Sequence, residues 1–128
     1  MPTLLQRRLR LPTAHSTTTV RVAAPWNATT YLGPLARSAQ LDVLAAQVAD
    51  ARAKGGQVLR GGARLDRPGN WFAPTVVVDV DHTMDLMREE TFGPAIGIMV
   101  VDDDAQATTL MDDTRYGLTA GVYSRDET

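Results

Sequence analysis

Chemistry in this chain is concentrated in one run, Arg88-Glu89-Glu90-Thr91-Phe92-Gly93-Pro94. Adjacent carboxylates cannot both be buried and ionised cheaply, so one must face solvent or a ligand. Residue type alone leaves two readings open: a solvated loop with Phe92 plugging the core, or the edge of a ligand site. Other chemistry-bearing residues are sparser. His15 and His82 are isolated, with no cysteine near either to complete a metal site. Asp102, Asp103 and Asp104 lack the spaced ligands and glycine of a calcium loop and fit a helix cap better. Gly61-Gly62 follows the wrong pattern for a phosphate cradle and reads as a turn, and Met84, Met87 and Met111 read as core filler.

The elements that must position these residues are marked by regular punctuation. After Pro25, Gly33 and Pro34, Ser38 is placed to cap a helix whose apolar positions Leu41, Leu44, Ala45 and Val48 recur at i, i+3, i+4 and i+7. Gly55 and Gly56 end it. A short strand at residues 57–59 precedes turns at Gly61-Gly62 and Pro68-Gly69. Residues 75–80 are β-branched and almost wholly apolar, as in a strand buried on both faces. A helical turn is predicted at residues 84–88, a second buried strand at 96–101, a helix at 105–111 and a last strand at 118–124. Strands alternating with helices favour an α/β layer with a mainly parallel sheet.

The chain has 128 residues, 44% apolar and 22% charged, with a net charge of −2 and no cysteine. That suits one globular domain, typically roughly 100 to 150 residues. It disfavours a nucleic-acid surface, which needs clustered Lys and Arg, and no apolar run is long enough for a membrane helix. Disulfides, thiolate metal sites and a cysteine nucleophile from this chain are excluded. No Asp or Glu precedes Asp42, whereas Arg7, Arg8, Arg10, Arg21 and Arg37 do. Residues 1–19, rich in Arg and Thr, read as a disordered or mispredicted tail, a composition that a transit peptide shares. Without a signal peptide or membrane span, the cytoplasm is the default location.

Four motifs in order carry a family resemblance. Glu89-Glu90-Thr91-Phe92-Gly93-Pro94 closely resembles the Glu-Glu-x-Phe-Gly-Pro segment of the aldehyde dehydrogenase superfamily. Pro25-Trp26-Asn27-Ala28-Thr29-Thr30-Tyr31-Leu32-Gly33-Pro34-Leu35 is similar to that family's Pro-x-Asp-x-x-Thr-x-x-Gly-Pro-Leu connection. Gly61-Gly62 followed by Gly69-Asn70-Trp71-Phe72-Ala73-Pro74-Thr75-Val76 resembles its Gly-Gly and Gly-aromatic-x-x-Pro-Thr-Val run. Thr114-Arg115-Tyr116-Gly117-Leu118 is similar to its Thr-x-Tyr-Gly-Leu segment. Departures are local: Ala23-Ala24 stand where Gly-Asp is usual, Asn27 replaces Asp, and Asp112 takes a position often held by Asn.

The resemblance implies that residues 20–128 are a partial aldehyde dehydrogenase catalytic domain, α/β with a mainly parallel sheet flanked by helices. It implies NAD or NADP as cofactor and oxidation of a small-molecule aldehyde to a carboxylic acid in the intact protein. Carried over by position, Glu90 would accept hydrogen bonds from the nicotinamide ribose hydroxyls and Phe92 would pack beside the nicotinamide ring. The family's nucleophilic cysteine and general-base glutamate lie upstream of the matched motifs, so no catalytic residue is expected in this chain and it is expected to be inactive alone. The implied partners are a homo-oligomer or full-length subunits on which a truncated chain docks; the alternative to an enzyme fragment is a non-catalytic product of that kind, or one without function.

Overall fold

A computed structural model describes residues 20–117 and 120–123. Helix α1, Ala39–Ala53, turns its apolar stripe inward and buries Leu41, Leu44, Val48 and Ala51, together with one polar residue, Gln47. Ser38 holds the N-cap position, but its backbone is already helical (φ −62°, ψ −36°) and its hydroxyl makes no capping bond. A capping side chain reaches the first turn from an extended backbone, so the expected cap does not form. The helix stops where its glycines predict. Gly55, at φ 103°, donates to the Arg52 carbonyl at 3.2 Å and Gly56 to the Ala51 carbonyl at 2.7 Å, the paired bonds of a Schellman ending.

Among the described residues three strands form one sheet: β1 (Gln57–Arg60), β2 (Thr75–Val78) and β3 (Ala95–Ile98), in the order β1-β2-β3. β2 and β3 are parallel, with Thr75 opposite Ala95 and Val78 opposite Ile98. β1 and β2 are antiparallel, with Val58 opposite Val77 and a register shift between Val58 and Arg60. The fold is α/β with a small mixed sheet, and its parallel component is the β2–β3 pair. The antiparallel partner arises because the chain reverses between β1 and β2, beginning at Gly61 (φ 66°) and Gly62 (φ 81°). Helix and strand alternation alone does not reveal such a reversal.

All four residues of β2 are buried, as a strand covered on both faces requires. It ends before Val80 because Asp79 adopts φ 55°, which breaks the ladder; the Asp79 carboxylate accepts from Gln57 Nε2 at 2.7 Å. β3 is shorter than expected and only half covered, with Ile96 53% exposed. Gly97 lies beneath the short helix α2, Asp85–Arg88, where an added Cβ would meet Met87 Sδ at 2.5 Å.

Helix α3, Asp104–Asp112, is capped by Asp103, whose carboxylate accepts from the Gln106 N–H at 2.7 Å. It buries no residue, so Met111 is not core filler. Met84, by contrast, is fully buried. Of the expected last strand, Leu118, Thr119 and Ser124 lie outside the described residues, and the described residues 120–123 form no strand. Residues 1–19, read as a tail, also lie outside them. The core has two adjoining clusters. Leu41, Leu44, Val48 and Phe72 form one, and Ala51, Val77, Val80, Met84 and Leu86 the other, with Val58 and Ala95 packed against both.

Candidate functional site

The Glu89–Pro94 run is the loop that joins α2 to β3, and α1 holds its backbone. Gln47 Nε2 donates to the Glu90 carbonyl at 3.3 Å, and the Thr91 hydroxyl donates to Gln47 Oε1 at 3.0 Å. Gly93, at φ 151°, presses on the same helix, and an added Cβ would lie 2.5 Å from Leu44 Cδ1. Pro94 delivers the chain into β3 by accepting a bond from the Thr75 N–H at 2.7 Å.

With the backbone fixed, the side chains divide. Glu89 is engaged: Arg115 Nη2 and the Tyr116 hydroxyl both donate to its Oε2, the latter at 3.2 Å. The Glu90 side chain is exposed, and its carboxylate has no hydrogen-bond or ion-pair partner among the described residues. The paired glutamates thus separate as the cost of burying two like charges demands. Phe92 is 64% exposed and does not plug the core, whereas Phe72 is buried with Leu41, Leu44 and Val48. The Phe92 ring borders an open, mainly apolar groove of about 340 Å³ that Leu35, Ala36, Arg37, Gln40 and Gly93 complete.

The four sequence motifs meet here through hydrogen bonds. The Leu35 N–H donates to the Asn70 carbonyl at 2.8 Å and Asn70 Nδ2 returns a bond to the Leu35 carbonyl at 3.1 Å. Thr75 and Pro94 join the glycine-rich run that ends at Val76 to the Glu89–Pro94 loop, and Glu89 and Tyr116 join that loop to the segment that begins at Thr114. Two contributors, Gln40 and Gln47, escape motif reading. Gln47 had a signal: it stands three residues after Leu44 on the apolar stripe, where a polar side chain needs a buried partner.

Beside the loop, Asp113 bridges His82 and Arg88. Its Oδ2 lies 3.0 Å from His82 Nδ1 and its Oδ1 lies 3.6 Å from Arg88 Nη2. The bond from His82 and then the charge of Arg88 hold the Asp113 carboxyl below the ordinary aspartate value. No group of three His, Cys, Asp or Glu residues suited to a metal ion occurs among the described residues. No described helix is long and apolar enough to cross a membrane.

An α/β layer carrying this loop defines the class of protein, and comparison with known proteins specifies it. The aldehyde dehydrogenase family model matches residues 8–128. The chain is 38% identical over 109 residues to succinate-semialdehyde dehydrogenase [NADP(+)] 1 of Mycobacterium tuberculosis, covering 85% of this chain and 24% of that protein. It is 37% identical over 109 residues to a betaine aldehyde dehydrogenase of Cereibacter sphaeroides, covering 85% and 23%. Among solved structures it resembles betaine aldehyde dehydrogenase from Staphylococcus aureus in complex with NAD+, with a TM-score of 0.85 at 26% identity, over 95% of this chain and 25% of that one. The chain belongs to the aldehyde dehydrogenase family, whose members are oxidoreductases that use NAD or NADP. It spans about a quarter of the length of the curated relatives it matches.

Proposed function

We propose that residues 20–128 form a partial catalytic domain of an NAD(P)-dependent aldehyde dehydrogenase, and that Glu90 and Phe92 are cofactor contacts. In the whole protein a small aldehyde is oxidised to a carboxylic acid. The observation that carries this reading is the division of the loop: Glu89 is consumed by Arg115 and Tyr116, while Glu90 and Phe92 project unpaired toward solvent.

The residues present fit the cofactor. A carboxylate without a partner is an acceptor suited to the two hydroxyls of a ribose. An exposed ring beside an apolar groove suits the face of a nicotinamide and keeps water from it. When bound, the dinucleotide supplies the hydride acceptor. This chain's part is to orient the ribose and wall off the ring. It contains no cysteine to attack the aldehyde, so alone it is inactive. The reading sets the protein in the cytoplasm, with a homo-oligomer as the working assembly.

The test is the intact mass of the native product, captured from source cells with an antibody against residues 88–97. A species several times heavier than 13.9 kDa, whose dinucleotide affinity falls about ten-fold with Glu90→Gln and stays unchanged with Glu89→Gln, supports the reading. A product of 13.9 kDa that binds no dinucleotide sinks it. The second reading then applies, a non-catalytic chain docked on full-length subunits, favoured by the apolar side chains of Ile96, Val100 and Met111 exposed along β3, its exit and α3. Co-purification of a full-length aldehyde dehydrogenase checks it.

A further inference from the structure

One face of α1 grips the chain on both sides of α2. Ahead of α2, Lys54 Nζ donates to the Thr83 carbonyl, and at its first residue Asp50 Oδ2 accepts the Asp85 N–H at 2.9 Å. Behind α2, one turn back along α1, Gln47 takes hold of Glu90 and Thr91. Gln47 is 5% exposed, so its amide sits where an unmet donor or acceptor is costly, and both of its ends are used. An amide meets both needs at once: its NH2 donates to the Glu90 carbonyl and its oxygen accepts from the Thr91 hydroxyl. A carbonyl pinned inward fixes the peptide plane on its C-terminal side, and a hydroxyl pinned inward on the next residue fixes the rotation that follows. The Glu90 carboxylate and the Phe92 ring are then left to the outside.

We propose that Gln47 is a positioning residue for the Glu90–Phe92 edge: its buried amide, by holding the Glu90 carbonyl and the Thr91 hydroxyl together, sets the direction in which the two side chains leave the loop. The assignment of that edge to a dinucleotide rests on the reading above; the holding of the loop does not.

The chain offers a clean probe, because Glu89, Glu90 and Glu127 are its only glutamates. A glutamate-specific endopeptidase acting on the full 128-residue chain therefore reports on this loop, and trypsin cleavage after Arg60 in β1 reports on opening of the sheet. Gln47→Leu should speed cleavage at residues 89–91 on the order of ten-fold, Thr91→Val less, and the double variant no more than Gln47→Leu alone, since both remove one coupled contact. Cleavage after Arg60 should stay within about two-fold of the parent. Unchanged loop cleavage in both single variants overturns the proposal, as does a rise after Arg60 in proportion to the loop, which would make Gln47 a general stabiliser. If Gln47→Leu does not fold, Thr91→Val decides: it leaves the core intact, and an unaltered loop rate in it defeats the idea. No cofactor enters the assay, so this outcome and the fate of the dinucleotide reading are separable.

Discussion

The carboxylate of Asp50 caps a helix other than its own, accepting the backbone N–H of Asp85 at 2.9 Å. Met84, the N-cap of α2, offers no side-chain bond, so α1 supplies what the local sequence does not. Asp50→Ala should therefore lower the melting temperature by a few degrees, and Asp50→Asn by less, because an amide oxygen can still accept. A scan by circular dichroism checks this. Equal losses for the two variants would show that the ion pair with Lys54, rather than the cap, is what matters.

Gly61 and Gly55 both have positive φ, yet they differ in surroundings. A Cβ at Gly61 would stand 2.2 Å from the Pro74 carbonyl oxygen, whereas at Gly55 it would meet nothing within 4 Å. Gly55→Ala should cost about 1 kcal/mol from conformation alone. Gly61→Ala adds a backbone collision and should cost about 3 kcal/mol or more. Urea denaturation of the two variants gives the comparison, and similar midpoints would contradict it.

Leu44 is completely buried and also bears against Gly93 of the candidate loop. Leu44→Ala should cost about 2–5 kcal/mol through transfer and cavity terms. It should also loosen residues 89–94 more than β1, which hydrogen exchange read by mass spectrometry resolves. Uniform loosening would sever the link between core and loop.

Among the described residues, three aspartates are held below the ordinary value of 3.8: Asp50 chiefly by Lys54, Asp81 by Thr83 and Asp113 by His82. A depressed carboxyl stabilises the fold above its unfolded value, and that stability is lost as pH falls through the lowered folded values. Urea midpoints should accordingly be flat from neutrality toward 3.8 as far as these groups are concerned, and should fall below it. Asp113→Asn should shallow the fall. Lys54 has the opposite sense: its raised value makes its contribution full below 10.5 and lost as pH climbs beyond that. A midpoint that rises on acidification below 3.8 would contradict the assignment.

Much of this architecture is written locally. The stripe of Leu41, Leu44 and Val48, the stop at Gly55-Gly56, the buried run from Thr75 and the Asp103 cap are each set by neighbours in sequence, and each forms. What escapes reading depends on contacts between distant residues. The antiparallel pairing of β1 needs a reversal between strands, Phe92 is exposed while the core takes Phe72, and β3 stays half open because nothing among the described residues covers Ile96. The pairing of Glu89, rather than Glu90, with Arg115 and Tyr116 spans more than twenty residues and no local pattern announces it.

Helix α3 buries no side chain, and the contacts that follow its C-terminal end are charged or polar: Asp113 with His82 and Arg88, and Arg115 and Tyr116 with Glu89. It is moored by ions rather than seated in oil. Exposed charges lose sight of one another beyond a Debye length of about 8 Å at physiological ionic strength and about 3 Å in molar salt. Salt should therefore slacken these moorings while the valines of β2 feel little change.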